Sequence, residues 1–203
     1  MLREIRPAIV FVVALTVITG IVYPFAVTGI ARVAFPYQSQ GSLLERDGKV
    51  IGSALIGQQF TSDRYFHARP SATVAPDPND ATKTVPVPYN AANSGGSNLG
   101  PTNRALVERI AADLEKLKQE NSSAQAPPPL VTTSGSGLDP DISPAAALFQ
   151  VPRVARVRNL PEDRVRQLVE ERIEGRLFGL LGEPRVNVLA LNLALDRENK
   201  NVR

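Results

Sequence analysis

Apolar and polar positions divide this chain unevenly, with one unbroken apolar interval at the start and only short apolar runs afterwards. Arg6 and Arg32 bracket 25 positions, 7–31, without a charged side chain. As a helix the interval reaches roughly 37 Å at about 1.5 Å per residue, enough to cross a hydrocarbon core with some tilt. Ile9, Phe11, Val13, Leu15, Val17, Ile18, Ile21 and Val22 make it apolar all round, which suits lipid on every side better than a soluble core. Thr16, Thr19 and Gly20 are tolerated in a bilayer, because hydroxyls bond back to the helix and small residues admit a neighbouring helix. Pro24 is expected to kink the last turn. A cleaved signal peptide ending near Ala31 is the competing reading, but its apolar core runs to only about 7–15 residues. The expectation is a retained transmembrane helix over 8–30. Arg3 and Arg6 then place residues 1–7 in the cytoplasm and 31–203 outside.

Beyond the helix, apolar arms at 42–46 and 49–53 flank Asp47 and Gly48, a strong hairpin signal. Residues 61–101 are dense in Pro, Gly, Asn and Ser and are expected to be irregular, which points to a functional or partner-ordered stretch. Thr102 or Asn103 caps a helix to about Gln119, with Leu106, Ile110, Leu114 and Leu117 on one face. A loop or linker follows at 120–130. Ser143 and Pro144 open a helix that Pro152 should kink or restart, and Pro161 opens another ending at Gly175, with Val165, Leu168, Val169 and Ile173 inward. The run 186–195 alternates with apolar residues on both faces and predicts an internal strand, while the polar tail 197–203 is expected to fray. The fold class expected is a single N-terminal transmembrane α-helix plus one mixed α/β extracytoplasmic domain.

Composition narrows the chemistry. Absent cysteines among the 203 residues exclude disulfides, a thiol nucleophile and a Cys-based zinc site, and the single histidine, His67, excludes a multi-histidine metal site. Aromatic residues at 5% and a net charge of +3 spread along the chain argue against nucleic acid. Ser94, Gly95, Gly96, Ser97 and Asn98 precede a helix and so suggest an anion cradle, yet no GxxxxGK[ST] loop exists, and a structural turn or partner contact is preferred. Residues 134–137 (SGSG) lack the register of a nucleophile elbow, and nothing marks His67 as a base. Asp77, Asp80, Asp139 and Asp141 miss calcium-loop spacing; an Asx turn leading to the Ser143 cap suits the second pair better. Arg153, Arg156, Arg158, Arg164 and Arg166, offset by acids, are expected on a solvated helix face. No catalytic or metal residues are assigned.

An ordered set of motifs runs along nearly the whole chain: ITGIVYP at 18–24, GSALIGQQF at 52–60, YFHARPSA at 65–72, YN at 89–90 and SGGSNL at 94–99. SGSGLD at 134–139, QVPRVA at 150–155, VNVL at 186–189 and LNLALD at 191–196 complete it. In these the chain resembles the C subunit of the high-affinity potassium-transporting P-type ATPase, the bacterial Kdp system. The resemblance implies a non-catalytic accessory subunit in the bacterial cytoplasmic membrane. Its partners would be a P-type ATPase subunit, a potassium-selective channel-like subunit and a small single-span subunit. It further implies a catalytic chaperone that raises the pump's affinity for ATP, with the loop of Ser94, Gly95, Gly96, Ser97 and Asn98 as the nucleotide or partner loop. Gln58, Arg69, Ser71, Ser134 and Asp139 fall in the matching blocks as partner-contact candidates. No cofactor is expected to bind firmly; ATP and K+ belong to the complex.

That topology sets the 94–98 loop opposite a cytoplasmic nucleotide site. Two accounts stay open: the span transmits a bias through packing at Thr16, Thr19 and Gly20, or the outer domain acts at the potassium entrance. The alternative to the family reading is a free-standing exported or membrane-anchored binding or hydrolytic domain. Two departures from the family pattern are the long segment 74–88 and Asp141 in place of a histidine found in some relatives.

Overall fold

The computed structural model describes residues 2–201. The chain divides between Ser53 and Ala54 into two compact units. In the first, α1 (Leu2–Val17) passes through one π-helical turn, Ile18–Val22, into α2 (Tyr23–Ala34). The stretch Arg3–Ala34 contains an 18-residue window of mean hydropathy 2.4. Side chains 3–30 are exposed around the whole circumference, so the helix buries them against none of the described residues. Pro24 cannot donate to the carbonyl of Gly20, and the irregularity expected of it takes the form of the π turn just before it, where the Tyr23 N–H bonds Ile18 O. After α3 (Pro36–Ser39) come β1 (Leu43–Arg46) and β2 (Lys49–Ser53), paired antiparallel with Arg46 opposite Lys49. Asp47 (φ 53°) and Gly48 (φ 72°) are both left-handed, the geometry that makes this dipeptide a hairpin signal.

The second unit is helical at its core and carries small hairpins. Its helices are α4 (Arg104–Glu120), α5 (Pro144–Arg158), α6 (Glu162–Glu170) and α7 (Val188–Asn201). β3 (Val74–Asp77) pairs with β4 (Asp80–Pro86), and two-residue β5 (Asp141–Ile142) pairs with β6 (Val186–Asn187). Ile142, Val151, Val154, Val165, Val169, Leu191 and Leu195 are buried between α5, α6 and α7, and Phe66 from the irregular segment joins them with no exposed surface. The caps follow the sequence. Asn103 Oδ1 accepts from Ala105 N at 2.9 Å, Ser143 Oγ from Ala146 N at 3.2 Å, and left-handed Asn159 ends α5. Leu106, Ile110, Leu114 and Leu117 form the half-buried face of α4.

Several expectations are corrected. Only Val186 and Asn187 of the run 186–195 are strand; the rest is α7. Val188, Leu191, Asn192 and Leu195, spaced three, one and three apart, all face the core, and Leu and Ala favour helix over the alternation. Asn187 Oδ1 accepts from Ala190 N at 3.0 Å and caps the helix. Pro152 neither ends nor restarts α5, which runs unbroken because most of its length is packed on the core. The helix after Pro161 stops at Glu170, and Ile173 lies outside it, 37% exposed. Residues 61–101 are not wholly irregular, since β3 and β4 form a hairpin across Pro78 and Asn79; both strands are edges, where Pro76 is tolerated. Helix α7 carries the polar tail to Asn201, and the fraying expected of its last residues, 202 and 203, lies outside the described residues.

Candidate functional site: an interlocked loop cluster

Four irregular segments of the second unit converge around residues 56–59, 69–73, 89–98 and 133–141, held by hydrogen bonds between sequence-distant partners. Gly57 N donates to Leu138 O (2.8 Å), Ser134 N to Pro70 O (3.0 Å) and Gly95 N to Ser136 O (2.9 Å). Ser71 is a hub: its hydroxyl donates to Gly137 O at 2.7 Å and accepts from Tyr89 N at 3.0 Å. Buried Thr73 donates to Val87 O at 2.6 Å and accepts from Asn90 N at 3.1 Å. Arg69 pairs with Asp139 at 2.9 Å and donates to Thr133 O at 3.3 Å, while its carbonyl accepts the Tyr89 hydroxyl at 2.6 Å. Burial, with the Asp139 carboxylate adding to it, holds the Tyr89 phenol above its ordinary value, so this hydroxyl stays a donor.

The glycines mark close approach of backbones. A Cβ on Gly137, at φ +68°, would overlap Thr73 Cγ2 and lie 2.6 Å from Gly95 O. One on Gly57 would meet Tyr89 at 2.5 Å and Asp139 O at 2.6 Å, and one on Gly96 would meet Gly135 O at 2.9 Å. The loop singled out as an anion cradle is thus fastened to residues 134–137: the Ser94 hydroxyl also donates to Ser136 O, at 3.0 Å. Ser97 is half-buried and Asn98 is exposed and left-handed at φ 50°.

Of the residues expected from sequence, Gln58, Arg69 and Ser71 line a cleft of about 500 Å³ together with His67, Tyr89, Arg109 and Glu120. Ser134 and Asp139 support it from behind through the bonds above. Thr16, Thr19 and Gly20 belong to the other unit; Thr19 Oγ1 donates to Leu15 O at 2.7 Å, and among the described residues nothing beyond the helix's own adjoining backbone comes within 4 Å of a Cβ placed on Gly20. Two of the aspartates also make local bonds: Asp139 Oδ1 accepts from Asp141 N at 3.1 Å, the Asx turn expected, and Asp77 Oδ1 from Asn79 N at 2.8 Å. Burial pushes the Asp141 carboxyl up, opposed by Arg185 at 3.2 Å. Among the described residues no group of three or more His, Cys, Asp or Glu could hold a metal ion.

A second polar system was missed. Arg153 and Arg158, expected on a solvated face, are buried at 3% and 7% exposure. Asn192 takes Phe66 N (2.9 Å) and gives to Phe66 O (3.0 Å); Gln150 does the same for His67 at 2.7 and 3.0 Å. Arg153 donates to Asp63 O and Tyr65 O and pairs with Glu120 at 2.9 Å, while Arg158 donates to Arg64 O and pairs with Asp196 at 2.9 Å. Side chains of α5 and α7 therefore satisfy the backbone of residues 63–67, which delivers Arg69 and Ser71 to the cluster. The signals were Gln150 and Arg153 at helical spacing and a polar Asn192 inside an apolar run.

Fold and site define a class: an apolar helix long enough to span a bilayer, linked to a mixed α/β unit whose distinctive chemistry is an interlocked loop surface. Residues 5–197 match the K+-transporting ATPase c chain family, KdpC. The chain belongs to that family, as its motifs had indicated. It is 72% identical over 197 residues to the potassium-transporting ATPase KdpC subunit of Bradyrhizobium diazoefficiens, covering 97% of this chain and 98% of that protein. Subunits of the same name from Rhodopseudomonas palustris and Methylobacterium nodulans are 70% and 67% identical over 196 residues, each covering 97% of this chain and 98% of the relative.

Proposed function

We propose that this chain is the non-catalytic, single-span accessory subunit of an ATP-driven potassium importer. It works beside a P-type ATPase subunit, a potassium-selective channel-like subunit and a small single-span subunit. Arg3 and Arg6 keep its N-terminus in the cytoplasm, and residues 31–203 lie on the outer face of the bacterial cytoplasmic membrane. The observation that carries this reading is the match to the c chain over residues 5–197, and the exposed α1–α2 helix supports it, since an apolar surface unburied in its own chain needs lipid or other helices.

The loop cluster supports an outward, partner-facing role. Gly95 N–H and the Ser94 hydroxyl, two of the donors that the 94–98 loop could offer a phosphate, are already bonded to Ser136 O. ATP and K+ are accordingly ligands of the complex, and the outer domain acts at the potassium entrance. Any chaperone effect on ATP affinity passes through the span, where the π turn at Ile18–Val22 and the open surface at Gly20 offer the contact. Such coupling is reciprocal: ATP would tighten this subunit's association with the pump as much as the subunit tightens ATP binding.

The experiment is affinity purification of the tagged chain, in mild detergent, from its host grown in limiting potassium. Recovery of a P-type ATPase and a multi-span potassium-selective subunit is the expected result. Recovery of the uncleaved chain alone, with those partners expressed, would overturn the accessory-subunit reading.

A further inference from the structure

Residues 35–53 lead out of the apolar helix, and they are fastened at successive points rather than strung out as a linker. Phe35 N donates to Ala31 O at 2.8 Å and Ser39 N to Phe35 O at 2.9 Å, so α3 follows the last turn of α2 without a free stretch between them. Gly41 N then donates to Gln38 O at 3.0 Å and Ser42 N to Tyr37 O at 3.1 Å. The Tyr37 hydroxyl closes the same turn a second time, donating to Ser42 O at 3.1 Å. Finally, the Ser53 hydroxyl donates to Gly41 O at 2.7 Å. Ser53 ends β2 and stands opposite Leu43, the first residue of β1, so the hairpin is held at its open end through both strands.

The backbone at the bend has one setting. Gly41 lies at φ 87° and Ser42 at φ 50°, both left-handed. A residue other than glycine persists there only where its surroundings over-determine it, and Ser42 is 4% exposed while residues 35–41 before it are all exposed. A flexible linker would let rotation about a few bonds absorb any movement of the helix. Attachment through β1 by the chain and through β2 by the Ser53 hydroxyl removes that freedom. We propose that residues 31–53 form a rigid elbow, so that α2 and the β1–β2 hairpin move as one body and a tilt or rotation of the helix is carried to the hairpin.

The elbow stands on bonds within one compact unit of the chain. Its use as a transmitter rests on the reading of α1–α2 as a membrane span. In that reading, a neighbouring subunit that grips the helix inside the bilayer moves residues 43–53 outside it. Coupling between distant sites travels through rigid elements and hydrogen-bond networks of this kind.

The chain has no Cys, so a pair of introduced cysteines carries the only spin labels. Val33→Cys and Lys49→Cys, both at exposed positions, put one label on α2 and one on β2, across the elbow. The label separation in the full chain is measured by double electron–electron resonance, in detergent and in phosphatidylcholine–phosphatidylglycerol vesicles floated on a gradient. The expected result is one narrow distance distribution, unchanged when the other ATPase subunits are assembled with the chain. Tyr37→Phe combined with Ser53→Ala removes both side-chain clasps and is expected to widen that distribution about twofold or more. A control pair, Val13→Cys and Val33→Cys, spans about 30 Å of helix and keeps its width with and without the clasps. A broad distribution with both clasps present, a width that the double substitution leaves alone, or a distance that shifts on assembly overturns the rigid elbow. A chain that keeps the narrow distance in detergent but does not float with vesicles overturns the span, and the transmission with it, while leaving the elbow intact.

Discussion

Asn192 closes both backbone groups of Phe66 from within α7, and its substitution tests whether the 63–67 segment is held by side chains rather than by its own conformation. Asn192→Leu leaves a buried N–H and C=O unpaired and is expected to cost roughly 2–4 kcal/mol in denaturant unfolding of the detergent-solubilised chain. A loss under about 0.5 kcal/mol would show that water or a shifted loop satisfies those groups. His67 gives a pH signature that no other histidine can blur, because the chain has one. Burial first, then the Arg153 charge, holds its pKa below 6.5 while its Nε2 lies 3.1 Å from Ser62 O. The unfolded state then binds the proton more readily, so stability falls as pH drops below about 6.5 and levels off below the depressed folded value. His67→Gln should flatten the fall in stability as pH drops below about 6.5, measured as the shift in thermal midpoint. Gly137→Ala forces a side chain into a left-handed residue against Thr73 and Gly95; it is expected to lower stability by about 2 kcal/mol or more. Gly100→Ala, which meets nothing within 4 Å, should be close to neutral by the same assay.

The elements show where local pattern suffices. The Asp47–Gly48 turn, the Asn103 and Ser143 caps and the α4 face are short-range properties, each decided by residues within a few positions, and each is found where the sequence places it. The run 186–195 is different, since its alternation and its helical spacing describe the same residues. What decides is the neighbour: Asn187 caps α7 while its Nδ2 donates to Ala54 O at 2.9 Å, and the inward face meets α5 and α6. Asn187→Ala removes the cap and that bond together and is expected to cost about 1–2 kcal/mol by thermal melting. Full stability in that variant would mean that packing alone fixes where α7 begins. Arg153 and Arg158 belong to the same lesson. Charge content assigned them to water, whereas a loop of unpaired carbonyls drew them into the core.

At the scale of the whole molecule, the described residues leave apolar surface exposed around the circumference of α1–α2 and at the tip of the 173–185 hairpin. A c chain of a K+-transporting ATPase has partner subunits to meet. Gly20→Leu should leave the chain in the membrane fraction while sharply lowering the yield of co-purified pump subunit. Unchanged yield would move the contact to another face of the helix.

Length and uniform apolarity were enough to mark the N-terminal helix, because an unbroken apolar run of that length can be read without knowing its neighbours. The ordered motifs were enough for the family. Sequence alone also nominated Gln58, Arg69, Ser71, Ser94, Ser134 and Asp139, but as separate blocks. Only the tertiary structure brought them to one cluster, through bonds such as those joining residues 57 to 138 and 95 to 136. It alone turned an expected strand into α7 and buried two arginines. Each of these depends on which distant backbone group or solvent a residue meets, and that information is carried by no local window of the chain.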